Sequence, residues 1–264
     1  MRPTQLVKAA IVKTAKGKPF ACITSALALS GVVVASAFLS YKHLSVGCDD
    51  RDAAFIDAQR GHLRRLDRGS ANGRVVFLGS STFQGLDVSS ITPLGLNLSM
   101  GGDTLPNLVK RSAGYRSLAT ARAVVINVGL NDLLKRCVLP ETTIQTLFSL
   151  IPANTPVVVV GVQEIPGTET ARPCNGKRLS LLISELNSQL SQSCNQRNTC
   201  RFVPNPVTFA LDESARKERL ETDGIHLSPA GYTRLSSDIR SALASVANAA
   251  NINLPPPFPA EPTQ

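Results

Sequence analysis

Val75-Val76-Phe77-Leu78-Gly79-Ser80-Ser81 sets four consecutive apolar residues against a glycine and two serines, directly after Arg74. A run this short, apolar at every position and closed by glycine, is the profile of a strand buried on both faces. The same profile recurs along the chain. Leu94–Leu98 is a weaker second strand, Ala123–Val128 a strong third, Pro156–Val160 a fourth and Arg201–Val203 a fifth. Between them, Leu105–Leu118, Thr142–Ile151 and Leu179–Gln192 read as helices, and Pro229–Asn248 reads as a last one, with proline in its first turn, where a missing N–H does no harm. Strands alternating with helices predict an α/β protein: a five-stranded parallel sheet covered on both faces, a three-layer α/β/α sandwich.

In such a sheet, ligands bind beyond the C-terminal ends of the strands. The residues that follow each strand are therefore the ones to inspect. They are Gly79-Ser80-Ser81-Thr82-Phe83 after the first, Met100-Gly101-Gly102-Asp103-Thr104 after the second and Gly129-Leu130-Asn131-Asp132 after the third, with Asp223-Gly224-Ile225-His226 ahead of the last helix. A serine nucleophile needs a base, most often histidine. The chain has only His43, His62 and His226. His43 abuts an apolar run and His62 lies among arginines, which leaves His226. Asp223, three positions earlier on a tight turn, is close enough to receive the imidazole Nδ1–H, fix the tautomer and stabilise the imidazolium.

These four segments resemble, in order, the sequence blocks of the SGNH hydrolases, also called GDSL esterases and lipases, over residues 74 to 245. Gly79-Ser80-Ser81 matches the Gly-Asp-Ser block, Asn97-Leu98 with Gly102-Asp103-Thr104 the second block, Gly129-x-Asn131-Asp132 the third and Asp223-x-x-His226 the last. The resemblance implies a flavodoxin-like fold and a Ser81–His226–Asp223 triad acting on carboxylic esters. It also implies an oxyanion hole built from the Ser81 and Gly102 backbone N–H groups and the Asn131 side-chain amide. Ser80 stands where the family has aspartate, a local structural residue and not the base. That leaves Ser80 as a minor rival nucleophile and Gly101 as a minor rival to Gly102. Asp132 reads as a hydrogen-bonder of its turn. No cofactor is implied, and no metal constellation or phosphate-loop pattern is visible.

Of the 28 basic residues, five precede position 19 with no acid among them, leaving 23 basic against 19 acidic residues in the remainder. A nucleic-acid binder would carry its excess within the folded domain, so nucleic acid is not an expected partner. After the basic arm comes the apolar run Phe20–Leu39, long enough to span a bilayer. The positive-inside bias then puts the remainder of the chain outside the cytoplasm. A cleaved signal peptide, with Ala35-Ser36-Ala37 at the cleavage site, is the alternative, and it exports the domain equally. The expected organisation is a basic arm (1–18), an anchor or signal peptide (19–40), an amphipathic stalk helix or linker (41–73), the catalytic domain (74–250) and a proline-rich mobile tail (251–264). The six cysteines fit export. Cys194 with Cys200 is a candidate disulfide and Cys137 with Cys174 a weaker one, with Cys48 left over.

The expected activity is extracytoplasmic hydrolysis of acyl esters, with acetylated glycans, short acyl esters and lysophospholipids as candidate substrates. A glycan O-acetyltransferase with the same site and a non-catalytic exported binding domain are the alternatives. The oligomeric state is left open.

Overall fold

The computed structural model describes residues 53–165, 178–205 and 213–255. The chain divides into a unit of residues 1–56 and a second from Asp57 to Gln264, which holds the sheet and the helices around it.

The sheet has five parallel strands: β1 (Val75–Gly79), β2 (Gly95–Asn97), β3 (Ala123–Asn127), β4 (Val157–Val160) and β5 (Cys200–Val203), in the order β2-β1-β3-β4-β5. Every residue of β1, β3 and β4 is buried. Side chains alternate between faces along a strand, so these runs feed two separate cores. Val76, Leu78, Val124, Ile126, Val157 and Val159 enter one. Val75, Phe77, Ala123, Val125, Val158 and Val160 enter the other. Helices close both faces, and the three-layer α/β/α sandwich is the observed architecture.

Of the helical residues 53–69, those within this unit, 57–69, are α1. They are followed in chain order by α2 (Ser81–Gln84), α3 (Leu105–Ser112), α4 (Arg116–Ala119), α5 (Leu130–Arg136), α6 (Glu141–Ser149), α7 (Leu179–Asn195), α8 (Glu213–Arg219) and α9 (Pro229–Ala249). α1, α3, α5, α6 and α7 supply the first core, α2 and α9 the second. The single helix expected over Leu105–Leu118 is instead α3 and α4, broken at Ala113-Gly114-Tyr115. The short helices α2, α5 and α8 were not expected at all.

Residues 57–69 pack against the core of this unit. Leu63 is 4% exposed within the first core, and the Asp67 carboxylate accepts the Arg116 and Ser117 N–H groups at 2.9 Å each, capping α4. Leu66, three positions after Leu63, is exposed. At the other end, the Asn253 carbonyl accepts a bond from Arg122 and Leu254 packs against the second core. The run 19–40, the basic arm before it, His43, Cys48 and Cys174 lie outside the described residues. Among the described residues no helix is long and apolar enough to cross a membrane. Cys194 and Cys200 are joined in a disulfide. Cys137 is also disulfide-bonded.

Candidate active site

With β2 and β3 flanking β1, the strand order reverses direction at β1, and the crevice beyond the C-terminal ends of β1 and β3 is the topological switch point. Ser81 opens α2 immediately after β1, and Asn131 sits in the first turn of α5 after β3. The Gly101-Gly102 turn follows β2. The loop bearing His226 reaches this rim from β4's side, where the Gln163 side-chain amide donates to the Ile225 carbonyl.

The two adjacent serines differ in access. Ser80 is 4% exposed, whereas Ser81 is half-buried. No acceptor takes the Ser81 N–H among the described residues, as expected for a first-turn amide.

The turn around His226 is built by its own acid. Asp223 Oδ1 accepts the Ile225 and His226 N–H groups at 2.9 Å each, while Oδ2 lies 2.6 Å from His226 Nδ1. The hydrogen bond from the His226 ring, followed by those from the two amides, holds the Asp223 carboxyl down at about 2. An ionised partner assigns the proton of that bond to Nδ1 and leaves Nε2 as a lone-pair acceptor. The ring and the carboxylate remain 44% and 47% exposed. Among the described residues the ring bonds to Asp223 alone, so no hydrogen bond joins it to the Ser81 hydroxyl. The segments that carry the two residues are nevertheless tied together. Tyr232, six positions after His226, donates its hydroxyl to the Thr82 carbonyl at 3.0 Å.

Asn131 Nδ2 donates one N–H to the Asp103 carbonyl at 3.0 Å, which leaves its second N–H for a ligand. Asn131 can stand at the rim because the chain turns through Gly129 at φ +116°, where a Cβ would come within 2.7 Å of Leu186. Gly102 adopts φ +71°, a conformation L side chains rarely take, and its N–H has no acceptor among the described residues. Asp132 is buried and accepts the Leu105 N–H at 2.9 Å, holding the start of α3; burial pushes its carboxyl up. Asn97 holds the end of α2 by donating to the Phe83 and Leu86 carbonyls. His62 is an exposed surface residue.

Several supporting groups have no motif of their own. Arg111 in α3 pairs with Asp103 at 2.7 Å and also donates to the carbonyls of Gly79 and Leu98, joining the ends of β1 and β2 from behind the site. Burial pushes the Asp103 carboxyl up against the opposing pull of Arg111. Asn127 donates to the Val160 and Gly161 carbonyls and fixes the end of β4 against β3. Apart from the Tyr115 hydroxyl, the partners of Arg111 and Asn127 are 8 to 34 positions away in the chain, and no local pattern announces them.

The GDSL-like lipase/acylhydrolase family profile matches residues 77–234. No curated protein matches the chain significantly. Solved structures of the same fold include a Streptococcus pneumoniae protein provisionally described as a platelet activating factor (18% identity, TM-score 0.61, covering 75% of this chain and 99% of that one). A GDSL-like lipase from Bacteroides thetaiotaomicron is 19% identical, with a TM-score of 0.56, and covers 70% and 97% of the two chains. A Clostridium thermocellum family 3 carbohydrate esterase is 16% identical, with a TM-score of 0.52, and covers 68% and 98%. These likenesses concern the fold; the family match, over more than half of the chain, concerns descent. A rim that carries an aspartate-held imidazole and a sequence that fits the profile from β1 into α9 lead to one conclusion: the chain belongs to the GDSL-like lipase/acylhydrolase family and is an ester-hydrolysing enzyme.

Proposed function

We propose that the protein is an extracytoplasmic serine esterase that cleaves acyl esters through an acyl-Ser81 intermediate. The observation that carries the reading is the Asp223–His226 pair, which presents a free Nε2 at the sheet rim that also bears Ser81 and Asn131.

In the first step Ser81 Oγ attacks the ester carbonyl carbon and gives its proton to His226 Nε2. The carbonyl π electrons move onto oxygen, where the Ser81 N–H, the Gly102 N–H and the free N–H of Asn131 receive them. Preorganised donors of this kind act on charge that develops only in the transition state. Collapse of the tetrahedral species expels the alcohol, which takes the proton from His226. Water then repeats the sequence on the acyl-serine and releases the carboxylic acid. Asp223 stabilises the transient imidazolium without being protonated. The low exposure of its neighbour Ser80 supports Ser81 as the attacking hydroxyl.

Export is supported by the basic arm ahead of Phe20–Leu39 and by the Cys194–Cys200 disulfide, a bond that persists in oxidising compartments. On this reading residues 19–40 tether the domain to the membrane or are removed after export. Acetylated glycans, short acyl esters and lysophospholipids are the candidate substrates.

A fluorophosphonate probe should label the wild type and not Ser81→Ala. Ser81→Ala should also abolish hydrolysis of p-nitrophenyl acetate and of longer-chain p-nitrophenyl esters, whose relative rates on the wild type separate acetyl from long-chain specificity. Asn131→Ala should label slowly and lose about a hundredfold in kcat. A wild type that neither labels nor hydrolyses any ester of the panel would leave this domain without a serine mechanism.

A further inference from the structure

The Gly101-Gly102 turn has no side chain with which to anchor itself, and glycine gives it more backbone freedom than any other residue would. An oxyanion donor works only if it is held in place before the charge appears. Two exposed side chains from the flanking helices supply the missing anchorage. Gln84 lies in α2, three positions after Ser81, and its Oε1 accepts the Gly101 N–H at 2.6 Å. Lys135 lies in α5, four positions after Asn131, and its Nζ donates to the Gly102 carbonyl at 2.8 Å. The peptide between Gly101 and Gly102, which carries the Gly102 N–H, is therefore gripped from both ends.

Resting on the proposed oxyanion role of the Gly102 N–H, we infer that Gln84 and Lys135 are positioning residues that clamp this turn and hold that N–H in register with the other two donors. The topology gives the clamp its meaning. Residues three and four apart in a helix lie on one face, so Gln84 extends from the same side of α2 as Ser81, and Lys135 from the same side of α5 as Asn131. Each side chain links the glycine turn to the helix that carries another donor. Asn131 adds a third link through the Asp103 carbonyl. Three donors from three separate loops thereby become one rigid unit. The fit is close on the Lys135 side, where a Cβ at position 102 would stand 3.1 Å from Nζ.

The test compares Gln84→Met, Lys135→Met, Lys135→Arg and the Gln84→Met/Lys135→Met double variant with the wild type and Ser81→Ala. The readouts are kcat and KM on p-nitrophenyl acetate, the rate of fluorophosphonate labelling and the thermal midpoint. Each methionine variant should lose about tenfold to a hundredfold in kcat, the scale of a misplaced donor, and label correspondingly slowly. KM and the midpoint should stay close to wild type, because both side chains are exposed. Lys135→Arg, which keeps a donor of sufficient reach, should recover most of the loss. The double variant should fall short of the product of the singles, since both side chains hold one turn. Unchanged kcat in both methionine variants would overturn the clamp. So would a rise in KM alone, which marks direct substrate contact, or a fall in midpoint that tracks the fall in kcat. If Ser81→Ala retains full activity, the catalytic assignment itself fails; if only Ser81→Ala is impaired, the clamp alone fails.

Discussion

Asp223 receives the ring and backbone N–H of its own histidine as well as the N–H of Ile225, and this concentration of donors keeps it ionised down to about pH 2. A carboxyl whose folded value lies below its unfolded one stabilises the fold above the unfolded value, and that contribution disappears as pH falls through about 2. Across milder acid Asp223 therefore stays charged. Asp223→Asn keeps an acceptor for the two amides and removes the charge that stabilises the imidazolium. It should lower kcat by about a hundredfold or more with little change in KM. An unchanged kcat in Asp223→Asn would contradict this role. His226 was legible because only three histidines exist and two sit in poor contexts. Ser81 was favoured over Ser80 by its place in the Gly79-Ser80-Ser81 block, and which hydroxyl faces the crevice is a matter of packing, where Ser80 is the buried one. Gln84 and Lys135 were invisible for a related reason: each bonds to a backbone group 17 or 33 positions away, and a surface glutamine or lysine carries no mark of its partner.

At the scale of elements, strands were the easiest to read, since a strand buried on both faces must be apolar at every position, and Val75–Leu78, Ala123–Ile126 and Val157–Val160 are. Helices α2 and α5 escaped notice because four and seven residues are too few to display a helical period. Helix α1 hides its anchorage in its composition. Arg64, Arg65 and Arg68 do face solvent, yet Leu63 and Asp67, on the opposite face, anchor the segment to the domain. Asp67 resembles any surface acid until its partners at 116 and 117 come into view. Its carboxylate caps the N-terminus of α4, where two amides would otherwise go unpaired in a buried place. Asp67→Ala should cost about 1–2 kcal/mol, the scale of a lost N-cap, and lower the urea midpoint. kcat should not change, because α4 leads into the N-terminal end of β3, away from the site. A soluble fragment that starts after residue 73 should lose this cap together with the Leu63 contact and be less stable than one that starts near residue 42.

Over the whole molecule, the parallel sheet separates two rims that should respond differently to the same chemistry. All four candidate catalytic segments gather at the C-terminal ends of the strands, whereas the Cys194–Cys200 disulfide joins the end of α7 to the first residue of β5, at the opposite rim. Cys137 lies on the catalytic side, directly after α5, the helix that carries Asn131 and Lys135. The Cys194–Cys200 bond closes a loop of sequence separation 6 and acts chiefly by restricting the unfolded chain. Cys194→Ala/Cys200→Ala should therefore lose about 2 kcal/mol of stability while kcat and KM stay as in the wild type. Treating the native enzyme with dithiothreitol opens the Cys137 bond as well, and it should also lower kcat, because the C-terminal turn of α5 then loses its covalent tether and Lys135 its fixed approach to Gly102. Measured side by side below the thermal midpoint, the double variant and the reduced wild type should share a loss of stability and differ in turnover. Equal kcat in the two would mean that the Cys137 bond has no part in holding the donors, and a slow double variant would mean that strain crosses the sheet from one rim to the other.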